Sequence, residues 1–98
     1  MKDKELDELL NDYFEKEDFL KINDLLIKFF KIYFSNRIKE KNEDFKYTTL
    51  NDLLDLSKKY LDKDEQQKCL RFYEIQSQDD EKLVAFELKE LFDIVKEV

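Results

Sequence analysis

Across 98 residues the chain contains no glycine and no proline. Glycine supplies positive φ at little steric cost, and proline stops helices and pre-sets turns. Tight hairpins, bulges and sharp breaks therefore lack their usual residues. Apolar residues instead recur at three- and four-residue spacing, and no run alternates convincingly at period two. This pattern predicts an all-α fold, with element ends to be read from Asp, Asn, Ser and Thr. The length fits a single domain over residues 1–98, with no internal repeat and no low-complexity linker.

Five helices are expected. The first covers about residues 3–16, with Leu6, Leu9, Leu10, Tyr13 and Phe14 on one stripe and acidic residues crowding its start. The second, and longest, covers about 18–39. Ile22, Leu25, Leu26, Phe29, Phe30, Tyr33 and Phe34 keep helical spacing, while Ile27 and Ile32 lie off that stripe. A helix apolar on two sides is central or shared with a partner. Residues 40–47 read as a loop. Thr49, with Asp52 three residues on, is expected to cap a third helix that buries Leu50, Leu53, Leu54, Ser57, Tyr60 and Leu61. Asp64 with Gln67 is expected to start a fourth, carrying Cys69, Leu70, Phe72 and Tyr73. Ser77 with Asp80 is expected to start a fifth, with Leu83, Val84, Leu88, Leu91, Phe92 and Val95 on its inner face and Glu87 at the edge. The expected architecture is a compact bundle of about five helices around a long central second helix.

Composition removes several function classes. With no His there is no imidazole acid/base, no Ser-His or Cys-His pair and no His-ligated zinc. With no Gly there is no phosphate-cradling loop, dinucleotide fingerprint or EF-hand. One Cys excludes an internal disulfide framework and fits a reducing compartment. The stretch 25–34 is interrupted by Lys28 and Lys31 and does not qualify as a membrane span, and the acidic N-terminus lacks the form of a signal peptide. A cytoplasmic protein without cofactor or metal is expected.

The net charge of −7 is unevenly spread: −5 over residues 1–20, +3 over 21–47 and −5 over 48–98. Lys28, Lys31, Arg37, Lys39, Lys41 and Lys46 form the basic island, interleaved with aromatics. It could contact a phosphate backbone, with Tyr33 or Tyr47 for stacking. Alternatively, its lysines solubilise a very apolar helix. Carboxylate groups at Asp52 and Asp55, at Glu5, Asp7 and Glu8, and at Asp79, Asp80 and Glu81 could hold a metal. All lie near helix starts, however, where negative charge is favoured anyway. Cys69 is read as a buried structural thiol. The surplus aromatic surface of the second helix, Phe29, Phe30, Tyr33 and Phe34, is the expected self-association surface, and a two-fold homodimer is the expected assembly.

Several stretches, the latter half of the second helix among them, carry a family likeness. The residues from Tyr13 to Phe19 and the run Leu70, Arg71, Phe72, Tyr73, Glu74, followed by an acidic turn and an amphipathic last helix, resemble HEPN-type helical bundles, in particular the small archaeal PaREP1-like branch. Leu50, Asn51, Asp52, Leu53 and Leu54 fit the same pattern. The resemblance implies an all-α bundle, often dimeric, in a superfamily linked to RNA cleavage, toxin–antitoxin pairs and nucleotidyltransferase partners. Active members resemble one another in an Arg and a His with four to six residues between them. Here Gln76, Ser77 and Gln78 follow Arg71 at those positions, and neither amide nor hydroxyl can move a proton as imidazole does.

Three functions are weighed on this basis. The first is a non-catalytic interaction module, with Arg71 and the basic island available to a partner's acidic surface. The second is a residual RNA-binding or RNA-processing protein, with Arg37, Lys39, Arg71 and Tyr73 as its anion or RNA contacts and Arg71, Tyr73 and nearby carboxylates for any processing. The third is an acidic decoy for a nucleic-acid-binding protein, motivated by the net charge.

Overall fold

In the computed structural model, which describes residues 3–46 and 49–96, five α-helices follow one another: α1 (Asp3–Glu15), α2 (Phe19–Lys39), α3 (Leu50–Tyr60), α4 (Lys63–Gln76) and α5 (Glu81–Lys96). No strand occurs among the described residues, and no helix there is long and apolar enough to cross a membrane. The longest helix, α2, touches all four others, most extensively α5. Its inner stripe, Ile22, Leu26, Phe30, Phe34 and Ile38, is fully buried against Leu10, Leu53, Phe72, Ile75, Leu88 and Phe92.

Without glycine, the turns are built from acidic side chains. At the end of α1, Glu17 N–H donates to the Phe14 carbonyl (3.1 Å) and Asp18 N–H to the Tyr13 carbonyl (2.9 Å). This is the Schellman arrangement, which requires a left-handed residue, and Glu17 fills that place at φ 54. Asp18 then caps α2, its Oδ1 accepting from Lys21 N–H at 3.3 Å. A Cβ in the left-handed region costs roughly 1–2 kcal/mol. Glu17→Gly is therefore expected to raise stability by about 1 kcal/mol, read from the urea midpoint. An unchanged or lower midpoint would show that the left-handed geometry of this turn carries no relievable strain.

Two of the expected helix starts are corrected. The cap of α4 is Asp62, not Asp64: Asp62 Oδ1 accepts from Glu65 N–H at 2.8 Å. Because α3 ends at Tyr60, the earlier aspartate is reached first, and Asp64 sits in the first turn. Gln66 closes the junction by donating to the Leu61 carbonyl at 2.7 Å. The cap of α5 is Asp80, accepting from Leu83 N–H at 3.1 Å, not Ser77. The Ser77 hydroxyl is engaged at the end of α4, donating to the Glu74 carbonyl at 2.9 Å. For α3 the expected Thr49 cap holds, accepting from Asp52 N–H at 3.1 Å.

The last turn of α5 is pinned to α1 by charge. Lys96 Nζ lies 2.8 Å from Asp7 and 3.3 Å from Asp93, which also receives Lys89 at 2.7 Å. Partial burial alone would raise the Asp93 carboxyl, but the bonds from Lys89 and Lys96 outweigh it and hold it below its usual range. The Asp7 bond, then Asp93, raises Lys96. The Asp93 contribution is present above the unfolded aspartate value, about 3.9, and is lost as pH falls through the lower folded value. That of Lys96 is present below the unfolded lysine value, about 10.4, and is lost as pH rises through the higher folded one.

Candidate interaction face

Once the five helices have packed, the outer face of α2 is still open. Leu25, Lys28, Phe29, Ile32, Tyr33 and Asn36, with Leu6 from α1, line a groove of about 340 Å³. A second hollow of about 330 Å³ continues it along Lys31, Ser35 and Lys39, sharing Ile32 and Asn36. Ile32 is 62% exposed, and Leu25, Phe29 and Tyr33 are half-buried. Phe29 is nevertheless fixed in place: its ring stands edge-on to Phe92 at 5.0 Å and to Phe30 at 5.2 Å, and stacks on Tyr33 at 6.0 Å. An aromatic already held by its neighbours loses little side-chain freedom on docking.

The sequence places four aromatics on an association surface, and the structure corrects that set. Phe30 and Phe34 are fully buried in the chain's own core, each packed on Phe72 (5.1 and 6.1 Å). They lie on the fully buried stripe with Leu26 and Ile38, and there both rings meet Phe72 of α4. Only Phe29 and Tyr33 reach the groove, joined by Ile32 and Leu25.

At the inner edge of the groove a polar cluster joins α2 to α4. Tyr33 O–H donates to Glu65 at 3.3 Å, and Arg37 Nη2 lies 3.6 Å from the same carboxylate. Glu65 is buried, and Arg37 also reaches Glu40 at 3.4 Å. Burial, and then the facing Glu65 charge, pushes the Tyr33 phenol up, with Arg37 offsetting part of the rise. The Arg37 Nε and the Asn23 Oδ1 are buried without a hydrogen-bond partner among the described residues.

The candidate anion contacts do not converge. Arg37 is committed to Glu65 and Glu40. Arg71, on the exposed side of α4, faces Glu87 at 3.7 Å. Tyr73 O–H donates to Asn51 Oδ1 at 2.8 Å, tying α4 to α3. Lys28, Lys31 and Lys39 make no ion pair with a described residue, so the basic rim of the groove carries free charge. Tyr47, the other stacking candidate, lies outside the described residues. Cys69 is buried; that burial pushes its thiol up, a hydrogen bond with Ser57 opposing and Glu65 adding. The described residues hold no group of three or more His, Cys, Asp or Glu placed to bind a metal.

Three features escape a reading of the sequence alone. Phe45 in the 40–46 loop is 5% exposed and belongs to the core, held by its N–H donating to the Asn42 carbonyl at 3.1 Å. Glu65 is 6% exposed despite its charge. Leu83, expected on the inner face of α5, is 43% exposed, and Ala85 takes its place in the core. Only the isolated Phe in a polar stretch could have signalled the first.

Comparison of the chain with protein-family models, with curated proteins and with solved structures finds no match.

Proposed function

We propose that the chain is a non-catalytic helical interaction module that pairs with a second copy through the outer face of α2. The observation that carries this is the exposed Ile32, set among Leu25 and the pre-held Phe29 in an open groove. Apolar side chains grouped in this way favour removal from water, at about 25 cal/mol per Å² buried. A two-fold axis beside Ile32, relating antiparallel α2 helices, would set Leu25 against the aliphatic stem of Lys39 and Lys28 against Asn36. The lysines then avoid one another. The resemblance to HEPN bundles, often dimeric, supports the same reading, and the missing imidazole supports a role without proton-transfer catalysis.

Sedimentation equilibrium tests it. The wild-type chain is expected to dimerise at or below tens of micromolar, roughly the range of a modest interface. Ile32→Lys, which adds charge to an already basic face, is expected to weaken pairing by at least about tenfold with an unchanged melting curve. A monomer throughout that concentration range, or a dimer indifferent to Ile32→Lys, overturns the reading. A second reading, an RNA contact, is favoured by the unpaired Lys28, Lys31 and Lys39. Tight, strongly salt-dependent binding of labelled RNA by the wild-type monomer would favour it instead.

A further inference from the structure

A second apolar surface lies away from the α2 groove, at the end of the bundle that carries the α1–α2 and α4–α5 turns. Phe86 on α5 is 48% exposed, and its ring meets Phe14 at 5.3 Å and Phe19 at 6.1 Å. Leu83, one turn earlier on α5, and Leu20, beside Phe19 in sequence, are also exposed. Asn23 Nδ2 donates to the Glu81 carbonyl at 3.0 Å, which brings the first turn of α5 alongside the first turns of α2. The two turns are therefore neighbours.

The rim of this surface has the opposite sign to that of the groove. Glu17, Asp79 and Glu81 are exposed and make no ion pair with a described residue. The nearby Lys16 and Lys21 are already engaged, with Asp12 at 3.1 Å and Asp18 at 3.5 Å. Lys82 places its Nζ 5.9 Å above the Phe19 ring, so the aromatic cluster already holds one ammonium group on a face. Nucleic acid and anionic membrane surfaces are repelled by this rim.

We infer that the turn end of the bundle binds a basic amphipathic segment of a partner protein. Its apolar residues cover Phe86 and Leu83, and its Lys or Arg groups face Glu17, Asp79 and Glu81. Apolar contact with matched charge around it is the usual division of labour at an interface, the apolar centre setting affinity and the rim setting attraction and register. This surface is distinct from the one assigned to self-pairing, so each can fail alone.

The test is fluorescence anisotropy with a labelled helical peptide of leucine and lysine in amphipathic register, titrated with the full chain. Phe86→Ser, with Leu83→Ser as a second variant should the first not fold, is expected to weaken binding about tenfold. The triple variant Glu17→Gln, Asp79→Asn, Glu81→Gln is expected to do the same, whereas Glu8→Gln, Glu43→Gln, Asp55→Asn, which removes equal charge elsewhere, changes affinity less than about twofold. Equal losses from the two triple variants would reduce the effect to net charge and overturn the assignment. So would peptide binding unaffected by either serine variant, or no binding at all. If sedimentation shows instead that Phe86→Ser dissolves an assembly of the chain with itself, the occupant is another copy and the partner inference falls.

Discussion

Phe30→Ala is expected to cost about 3–5 kcal/mol of folding stability, a large share of the roughly 5–15 kcal/mol available to a domain of this size. The ring is fully buried where α2 meets α4, within 5.2 Å of the Phe29 ring centre, 5.1 Å of Phe72 and 6.1 Å of Phe34. Removing it opens a cavity that rigid aromatic neighbours cannot close, so the loss combines transfer free energy with lost dispersion contacts. Ile32→Ala, two positions further along the same helix, removes a side chain that is 62% exposed and is expected to change monomer stability by no more than about 0.5 kcal/mol. Urea titrations of both variants, with the slope held to the wild-type value, measure the contrast. Comparable losses at the two positions would contradict the assignment of an inner and an outer face to α2.

Arg37→Ala is expected to cost about 2–3 kcal/mol, and Glu65→Gln is expected to repair most of it. The asymmetry follows from burial. Glu65 is 6% exposed and, among the described residues, keeps only the Tyr33 hydroxyl once its guanidinium neighbour is removed. An uncompensated buried carboxylate is costly, whereas Arg37, whose side chain is 41% exposed, can turn to water when Glu65 is neutralised. Solvent screening on the Arg37 side keeps the figure below that of a fully buried pair. Glu65→Gln alone is thus expected to cost less than about 1 kcal/mol, and the double variant should be more stable than Arg37→Ala. Additive losses in this cycle would mean that the two side chains act independently and that the cluster does not hold α2 to α4.

The fold class was legible because helical periodicity is a local property. Leu6 and Leu10, Leu53 and Ser57, Leu88 and Phe92 each announce their helix within a few residues, and each pair is buried where the spacing places it. Helix starts were legible only in part. Any Asp, Ser or Thr near a junction can cap, and the choice of Asp62 over Asp64 and of Asp80 over Ser77 depended on where the preceding helix stopped. The association surface was half legible. Seven apolar positions at one spacing do not say which of them a neighbouring helix will reach, so spacing alone cannot separate Phe30 and Phe34 from Phe29 and Tyr33.

Spacing and composition act over one or two turns, and they were enough to establish a glycine-free, proline-free all-α chain with a long second helix that is apolar on more than one side. Packing among the helices settles which side of that helix stays open, that Glu65 and Phe45 go inside, and that Phe86 meets Phe14 and Phe19 beside two acidic turns. Those outcomes depend on where helices distant in sequence lie against one another, and no stretch of the chain encodes that alone.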